Sequence, residues 1–199
     1  HMVGVSRYEE KLLGFLTRHF TEQHSINQLA KHIGMTPKGA HKLLKKLEQQ
    51  TLVKPKKLGN AIFYELNFAS DLARKKAELS LFEEIELPYA RAQAKDLERL
   101  RPLVLAAVLF GSVLTKGEKA GDIDVLVVFE KRTYKPFKEA LDKLQALKTK
   151  RIQPVLQTPQ DLVNNLKKPD KVVLEILRTG KVLWGHDIIV NAIREARGQ

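Results

Sequence analysis

The chain has 199 residues, 43% of them hydrophobic, and carries 35 Lys and Arg against 23 Asp and Glu, a net charge of +12. This is enough apolar material for one large core or two small ones, so disorder is excluded as the main state, and the basic balance points to a polyanionic partner, nucleic acid first. No apolar run approaches the roughly 20 residues that cross a bilayer, no N-terminal signal is recognisable, and the lack of cysteine excludes disulfides and thiolate metal sites. A cytoplasmic protein with no membrane partner is expected; His1-Met2 reads as a cloning remnant.

The first predicted helix is Arg7–Phe20, where Leu12, Leu13, Phe15, Leu16 and Phe20 fall near helical spacing. A second starts at Ser25. Ser25 and Gln28 have capping-box spacing, in which each side chain satisfies a backbone donor of the other. Leu29, Ala30 and Ile33 form its inner face, and Gly34 stops it. Thr36-Pro37 opens a third helix, with Thr36 as cap and Pro37 at the first helical position. Its Ala40, Leu43, Leu44 and Leu47 repeat along one face, and Lys38, His41, Lys42, Lys45 and Lys46 occupy the other. The stretches LVKPKKLGN and AIFYELN then predict a hairpin turning at Gly59-Asn60, with Lys54, Lys56 and Lys57 at or near its tip. From Thr36 to Lys57 there are seven lysines and one acid, Glu48, more bias than a solvated helix ordinarily shows. Gly39 inside the third helix costs about 1 kcal/mol against alanine; a close approach to DNA would account for it.

This arrangement resembles a winged helix-turn-helix over residues 3–68. The resemblance implies DNA as partner, with the third helix in the major groove and the hairpin along the backbone or minor groove. Lys38, His41 and Lys42 are then the candidate base-edge readers, with Thr36 nearby at the DNA. Lys45, Lys46, Lys54, Lys56 and Lys57 are the candidate phosphate contacts. Winged domains also bind proteins, and the sequence leaves that alternative open.

Residues 69–101 read as a helical connector. A helix over Ser70–Glu84 carries Leu72, Leu79, Leu81 and Phe82 partly on one side, with Ser70 as its cap. Pro88 interrupts. A further helix, Tyr89–Arg101, aligns Ala90, Ala94, Leu97 and Leu100, and Pro102 ends it. Such helices tie domains together or form a homodimer contact.

In residues 102–199 the order is strand, turn, strand, helix, strand. Leu103–Phe110 is a continuous apolar run, as in a strand buried on both faces. Gly111-Ser112 follows, then a short helix or loop, then the strand DIDVLVVF, Asp122–Phe129. Residues two apart on a strand share a face, so Asp122 and Asp124 point together. Two adjacent carboxylates repel unless a cation lies between them, and hard divalent ions held this way complete their shell with substrate phosphates. A Gly-Ser at a strand end offers backbone N–H groups and a hydroxyl to phosphate. Further on, helices are predicted at Tyr134–Thr149 (Phe137, Ala140, Leu141, Leu144 and Leu147 inward), after the capping pair Thr158–Asp161, at Asp170–Thr179 and at Asp187–Arg197. A strand is predicted at Arg151–Gln157 and a short closing strand or turn at Lys181–Gly185. The alternation predicts an α/β (α+β) class.

Phe110-Gly111-Ser112, nine residues, then Asp122-Ile123-Asp124-Val125 resembles the motif of the DNA polymerase β-like nucleotidyltransferase superfamily, in its minimal nucleotidyltransferase branch. The resemblance implies a mixed α/β sheet core, NTP with Mg²⁺ (or Mn²⁺), and transfer of a nucleoside monophosphate to an acceptor hydroxyl on RNA, a small molecule or a partner protein. Gly111 and Ser112 would hold the NTP phosphates, and Asp122 and Asp124 would hold the metal and carry the catalysis. Members of this branch often occur in toxin–antitoxin pairs, which leaves a second reading: a transcription regulator whose nucleotidyltransferase-like domain only senses nucleotide. The superfamily usually has a third carboxylate on the strand after the helix. Here that position falls on Gln153, which takes no proton at neutral pH and is a weaker ligand. Glu130 and Asp161 are the stand-ins to weigh. Lys131, Arg132, Lys150 and Arg151 are placed to line a triphosphate or simply to be solvated. His24, His32, His41 and His186 show no metal-ligand spacing, and Trp184 reads as core.

Overall fold

The computed structural model describes residues 7–168 and 171–198, and the chain is a mixed α/β protein of two compact units, divided between Ser80 and Leu81. The outer limits expected at residues 3 and 199, and the start of a helix at Asp170, lie outside the described residues.

The N-terminal unit runs α1 (Arg7–Arg18), β1 (His24–Ser25), α2 (Ile26–Ile33), α3 (Pro37–Gln49), β2 (Val53–Leu58), β3 (Ala61–Leu66) and α4 (Asp71–Ser80). Local chemistry sets the helix starts. Ser25 and Gln28 form the reciprocal capping box, and Thr36 accepts from Gly39 N–H with Pro37 behind it. Gly34, at φ 76°, closes α2. β2 and β3 pair antiparallel from Val53↔Leu66 to Leu58↔Ala61, turning at Gly59-Asn60, and β1 adds to the other edge of β3. Leu12, Leu29, Leu44, Leu47, Tyr64 and Phe68 are fully buried at the centre.

Residues 69–101 do not form a separate connector. α4 belongs to the N-terminal unit and packs on α1, while the helix beginning at Pro88 belongs to the C-terminal unit. The buried stripe of α4 is Ala73, Ala77 and Ser80; Leu72 and Leu79, expected inward, are exposed, as is Phe82 beyond the helix. Gly14 supplies the reason. A Cβ there would stand 3.2 Å from Ser80 O, so the two backbones approach too closely for leucines between them. Ser80 donates its hydroxyl to Ala77 O at 2.7 Å, and the helix ends there rather than at Glu84. A buried carboxylate completes the packing: Glu9 takes Lys76 of α4 at 2.5 Å and Lys46 of α3 at 3.5 Å. Taking either lysine away would leave buried charge less compensated.

The C-terminal unit runs α5 (Pro88–Leu97), a 3₁₀ segment (Glu98–Leu103), β4 (Ala106–Phe110), α6 (Val113–Lys116), β5 (Asp122–Val128), α7 (Tyr134–Gln145), β6 (Arg151–Gln157), α8 (Pro159–Lys167), α9 (Lys171–Thr179), β7 (Lys181–Trp184) and α10 (His186–Ala196). Its sheet has the order β6-β5-β4-β7, with β5 and β6 parallel and the other pairs antiparallel. Alternate residues sort to opposite faces. Ala107, Leu109, Ile123, Val125, Val127, Ile152 and Trp184 join one core with Ala90 and Leu97 of α5 and Phe137 and Leu144 of α7. α8, α9 and α10 pack on the other face, where Val108, Leu126 and Val128 are buried. α7 stops at Gln145, so Leu147, expected inward, is exposed. Gln145 is turned to a different use: its side chain receives Ile152 N–H at 2.7 Å and donates to Lys150 O at 3.1 Å, fixing the entry to β6.

Gly185 is the tightest backbone position in this unit. It sits at φ 76°, and a Cβ there would run into Ala106 of β4 and the carbonyl of Leu105 just before it. Gly185→Ala is expected to destabilise the chain by about 2–4 kcal/mol, from backbone strain plus overpacking. Urea unfolding checks this, and a change below about 0.5 kcal/mol would contradict the packing described.

Candidate functional site

The carboxylate pair is set by strand register. β5 lies between β4 and β6, so Asp124 has Phe110 opposite it on one side and Gln153 on the other, while Asp122 pairs with Arg151. Ile123 and Val125 are committed to the core shared with α5 and α7, which sends Asp122 and Asp124 together to the other face, both half-buried. Burial, then the neighbouring charge of Asp122, raises the Asp124 carboxyl above the usual carboxylate range.

Gly111 meets this pair directly. It follows Phe110 at φ 79°, and a Cβ built on it would overlap the Asp124 carboxylate, with Asp124 Cγ at 3.2 Å. Only a residue without a side chain lets the end of β4 pass this close to Asp124. Ser112 then begins a single turn, α6, in which its carbonyl receives Lys116 N–H at 2.7 Å. With one turn of helix the macrodipole is small. The phosphate-binding capacity expected of Gly111-Ser112 therefore rests on backbone N–H groups and the Ser112 hydroxyl, not on a helix end. The structure brings Gly111, Asp122, Asp124, Arg151 and Gln153 to one place, and Ser112 adjoins it.

The stand-in carboxylates are elsewhere. Val128 is four residues past Asp124, roughly 13 Å along the strand, and Glu130 lies beyond it. Asp161 follows the same end of β6 and serves the cap of α8. Thr158 donates to it from its hydroxyl at 2.6 Å and its N–H at 3.1 Å, holding it below the usual range. None of the residues paired with Asp122 or Asp124 is itself a carboxylate, and among the described residues no cluster of three or more His, Cys, Asp and Glu is placed to hold a metal. Two adjacent carboxylates on a polar, half-buried face fit one hard cation whose remaining ligands are water and phosphate oxygen.

The surrounding cations divide in the same way. Lys131 and Arg132 are at the far end of β5, where Arg132 pairs with Glu130. Lys150 donates to Glu118 O and to Ala120 O, its ammonium 5.0 Å from the Tyr89 ring centroid, and so anchors the loop that leads into Asp122. Lys148 is tied to Asp96 and to Gln93. Arg151 is exposed beside the pair.

On the N-terminal unit, Thr36, Lys38, His41, Lys42, Lys45 and Lys46 line one shallow depression along the outer face of α3. Lys38, His41 and Lys42 are exposed and enter no ion pair among the described residues, whereas Lys45 holds Glu48 at 2.8 Å and Lys46 reaches Glu9. Lys56 and Lys57 are exposed on the hairpin; Lys54 is half-buried and pairs with Glu65 at 3.5 Å. Gly39 has a local explanation that does not need DNA. A Cβ would stand 3.2 Å from Thr36 Oγ1, the cap of the same helix.

The fold also gathers histidines that sequence spacing leaves scattered. His19, His24 and His32 surround Phe15, with ring centroids 4.2, 4.8 and 3.7 Å from it. Burial, then His19, His24 and Lys11, lowers the pKa of His32. A histidine depressed in the folded state stabilises fully above its ordinary value near 6.5 and less as pH falls below it.

Two expectations follow from these shifts. Melting temperature should fall between pH 7.5 and 5.5, and His32→Gln should shrink that fall; an unchanged fall would remove the assignment. Because burial and the neighbouring Asp122 disfavour the charged form of Asp124, Asp124→Asn should raise the melting temperature at pH 7.5 without divalent ions, and Mn²⁺ should raise that of the parent chain but not of the variant. A lower melting temperature in the variant would contradict this charge arrangement.

Residues 93–189 match the family model described as Polymerase beta, Nucleotidyltransferase, a span that holds all of the carboxylate site. No curated protein and no solved structure matches the chain. The matched span lies within the C-terminal unit.

Proposed function

We propose that the C-terminal unit binds an NTP with a divalent metal and transfers the nucleoside monophosphate to an acceptor hydroxyl, and that the N-terminal unit is a winged helix-turn-helix that binds DNA. The observation that carries the first part is the contact of Gly111 with Asp124 inside the span matched by the family model. It joins a phosphate-binding turn to a metal-binding pair. Metal bound there would supply charge neutralisation at the phosphates. Gly111 and Ser112 would hold phosphate oxygens, and Asp122 and Asp124 would hold the ion. The acceptor oxygen would form a bond to the α-phosphorus, the bond to the bridging oxygen would break, and pyrophosphate would leave with the electron pair. Gln153 cannot take the acceptor proton, so it would pass to solvent.

The second part is supported by the order helix, short strand, helix, helix, hairpin, and by the exposed cationic face of α3. Lys38, His41 and Lys42 are the free base-edge candidates. Lys56 and Lys57 are the free phosphate candidates. Lys45, Lys46 and Lys54 must give up or share acidic partners before contacting phosphate.

One observation favours nucleotide sensing without transfer: no carboxylate is paired with Asp122 or Asp124 on either neighbouring strand. In that reading the chain is a regulator, with or without a toxin–antitoxin partner, and α-labelled NTP is bound but not consumed. Incubation with each α-labelled NTP, Mg²⁺ and total RNA or cell extract separates the two. Transfer of label that Asp122→Ala/Asp124→Ala abolishes is the expected result. Label transfer surviving in that variant would remove the site.

For the DNA part, the logarithm of affinity should fall linearly with the logarithm of salt. Lys42→Ala and Lys56→Ala should each reduce that slope by about 0.9. Lys45→Ala should change it less, because its ammonium is held by Glu48. A salt-independent isotherm would contradict DNA binding through this face.

A further inference from the structure

We propose that the carboxylate pair holds a single divalent cation, and that Arg151 binds the nucleotide phosphates where a second cation would otherwise stand. The inference rests on the metal–nucleotide reading above and adds a residue that the motif does not include.

β5 and β6 are parallel and in register over seven pairs, from Asp122↔Arg151 through Asp124↔Gln153 to Val128↔Gln157. Paired residues on neighbouring strands face the same side, about 4.8 Å apart. Ile152 confirms the sense of the alternation, because it is buried in the same core as Ile123 and Val125. Arg151 and Gln153 therefore share the face of Asp122 and Asp124, and both are exposed there.

The donor set decides the metal count. Two ions about 3.5–4 Å apart need carboxylates enough to bridge and neutralise them. This site has two, Asp122 and Asp124, and the residue paired with Asp124 on β6 is a neutral amide, a weaker ligand than a carboxylate and one that brings no charge. The neighbouring residue on that face of the strand, Arg151, carries a guanidinium. A fixed cation beside the pair repels a second metal ion and attracts phosphate, which its planar fork can take in two hydrogen bonds. Arg151 is exposed and enters no ion pair among the described residues. Its neighbours Lys148 and Lys150 are both committed to other partners.

The test counts metal. The full chain is dialysed against Mn²⁺ with an equal mixture of the four α,β-methylene NTP analogues, and retained Mn²⁺ and nucleotide are measured together. One Mn²⁺ per bound nucleotide is expected, rising to two in Gln153→Asp. Arg151→Ala should weaken nucleotide binding about tenfold or more with the ratio still at one, and Arg151→Lys should recover part of the loss. Two Mn²⁺ per nucleotide in the parent chain would overturn the inference and leave the metal–nucleotide reading standing. Unchanged nucleotide affinity in Arg151→Ala would also overturn it. Retention of neither Mn²⁺ nor nucleotide, or retention that Asp122→Ala/Asp124→Ala leaves intact, would overturn both.

Discussion

The Asp124 carboxylate rests against the Cα of Gly111, and the rest of the C-terminal unit is organised so that it can. β5 is hydrogen-bonded on both edges, which leaves its residues no freedom to slip. A one-residue slip would send Ile123 and Val125 to the polar face and both aspartates into the core. The apolar members of β5 therefore fix the position of its acids. Lys150 extends the same control to the preceding loop, through the carbonyls of Glu118 and Ala120 and the face of Tyr89.

Such a site is held against an electrostatic cost. Asp124 is raised by burial and by Asp122, so the unliganded pair is a place where the fold gives up stability. A cation bound as proposed would relieve the repulsion. The N-terminal unit treats charge differently. It spends Glu9 on Lys46 and Lys76, Glu48 on Lys45 and Glu65 on Lys54, and leaves Lys38, Lys42, Lys56 and Lys57 to solvent or to a polyanion.

Much of this is local and was legible in the sequence. The capping pairs Ser25–Gln28 and Thr158–Asp161, the Thr36-Pro37 start and the bounds of β6 depend on neighbours within a few residues. Gln153 was reached only through the family resemblance, and the register of β5 and β6 pairs it with Asp124. What the sequence did not disclose depends on contacts between distant segments. The inward face of α4 was misread because Gly14, more than fifty residues earlier, selects alanines over leucines there. The division at Ser80 and Leu81 has no glycine or proline to mark it. The lysines of α3 look equivalent in sequence until Glu9 and Glu48 divide them. The three histidines around Phe15 come from α1, β1 and α2 and their junctions, with no common spacing.

The central claim is the location of the metal–nucleotide site, and paramagnetic relaxation locates it most directly. Backbone amide spectra of the isotopically labelled chain would be recorded with NTP analogue while Mn²⁺ is added in substoichiometric steps. The account predicts that signals of residues 111–113, 122–125 and 151–153 broaden first, while those of Lys131–Lys135 and Thr158–Asp161, at the far ends of β5 and β6, persist. Broadening that begins at Glu130 and Asp161, or that spreads evenly over both units, would contradict it.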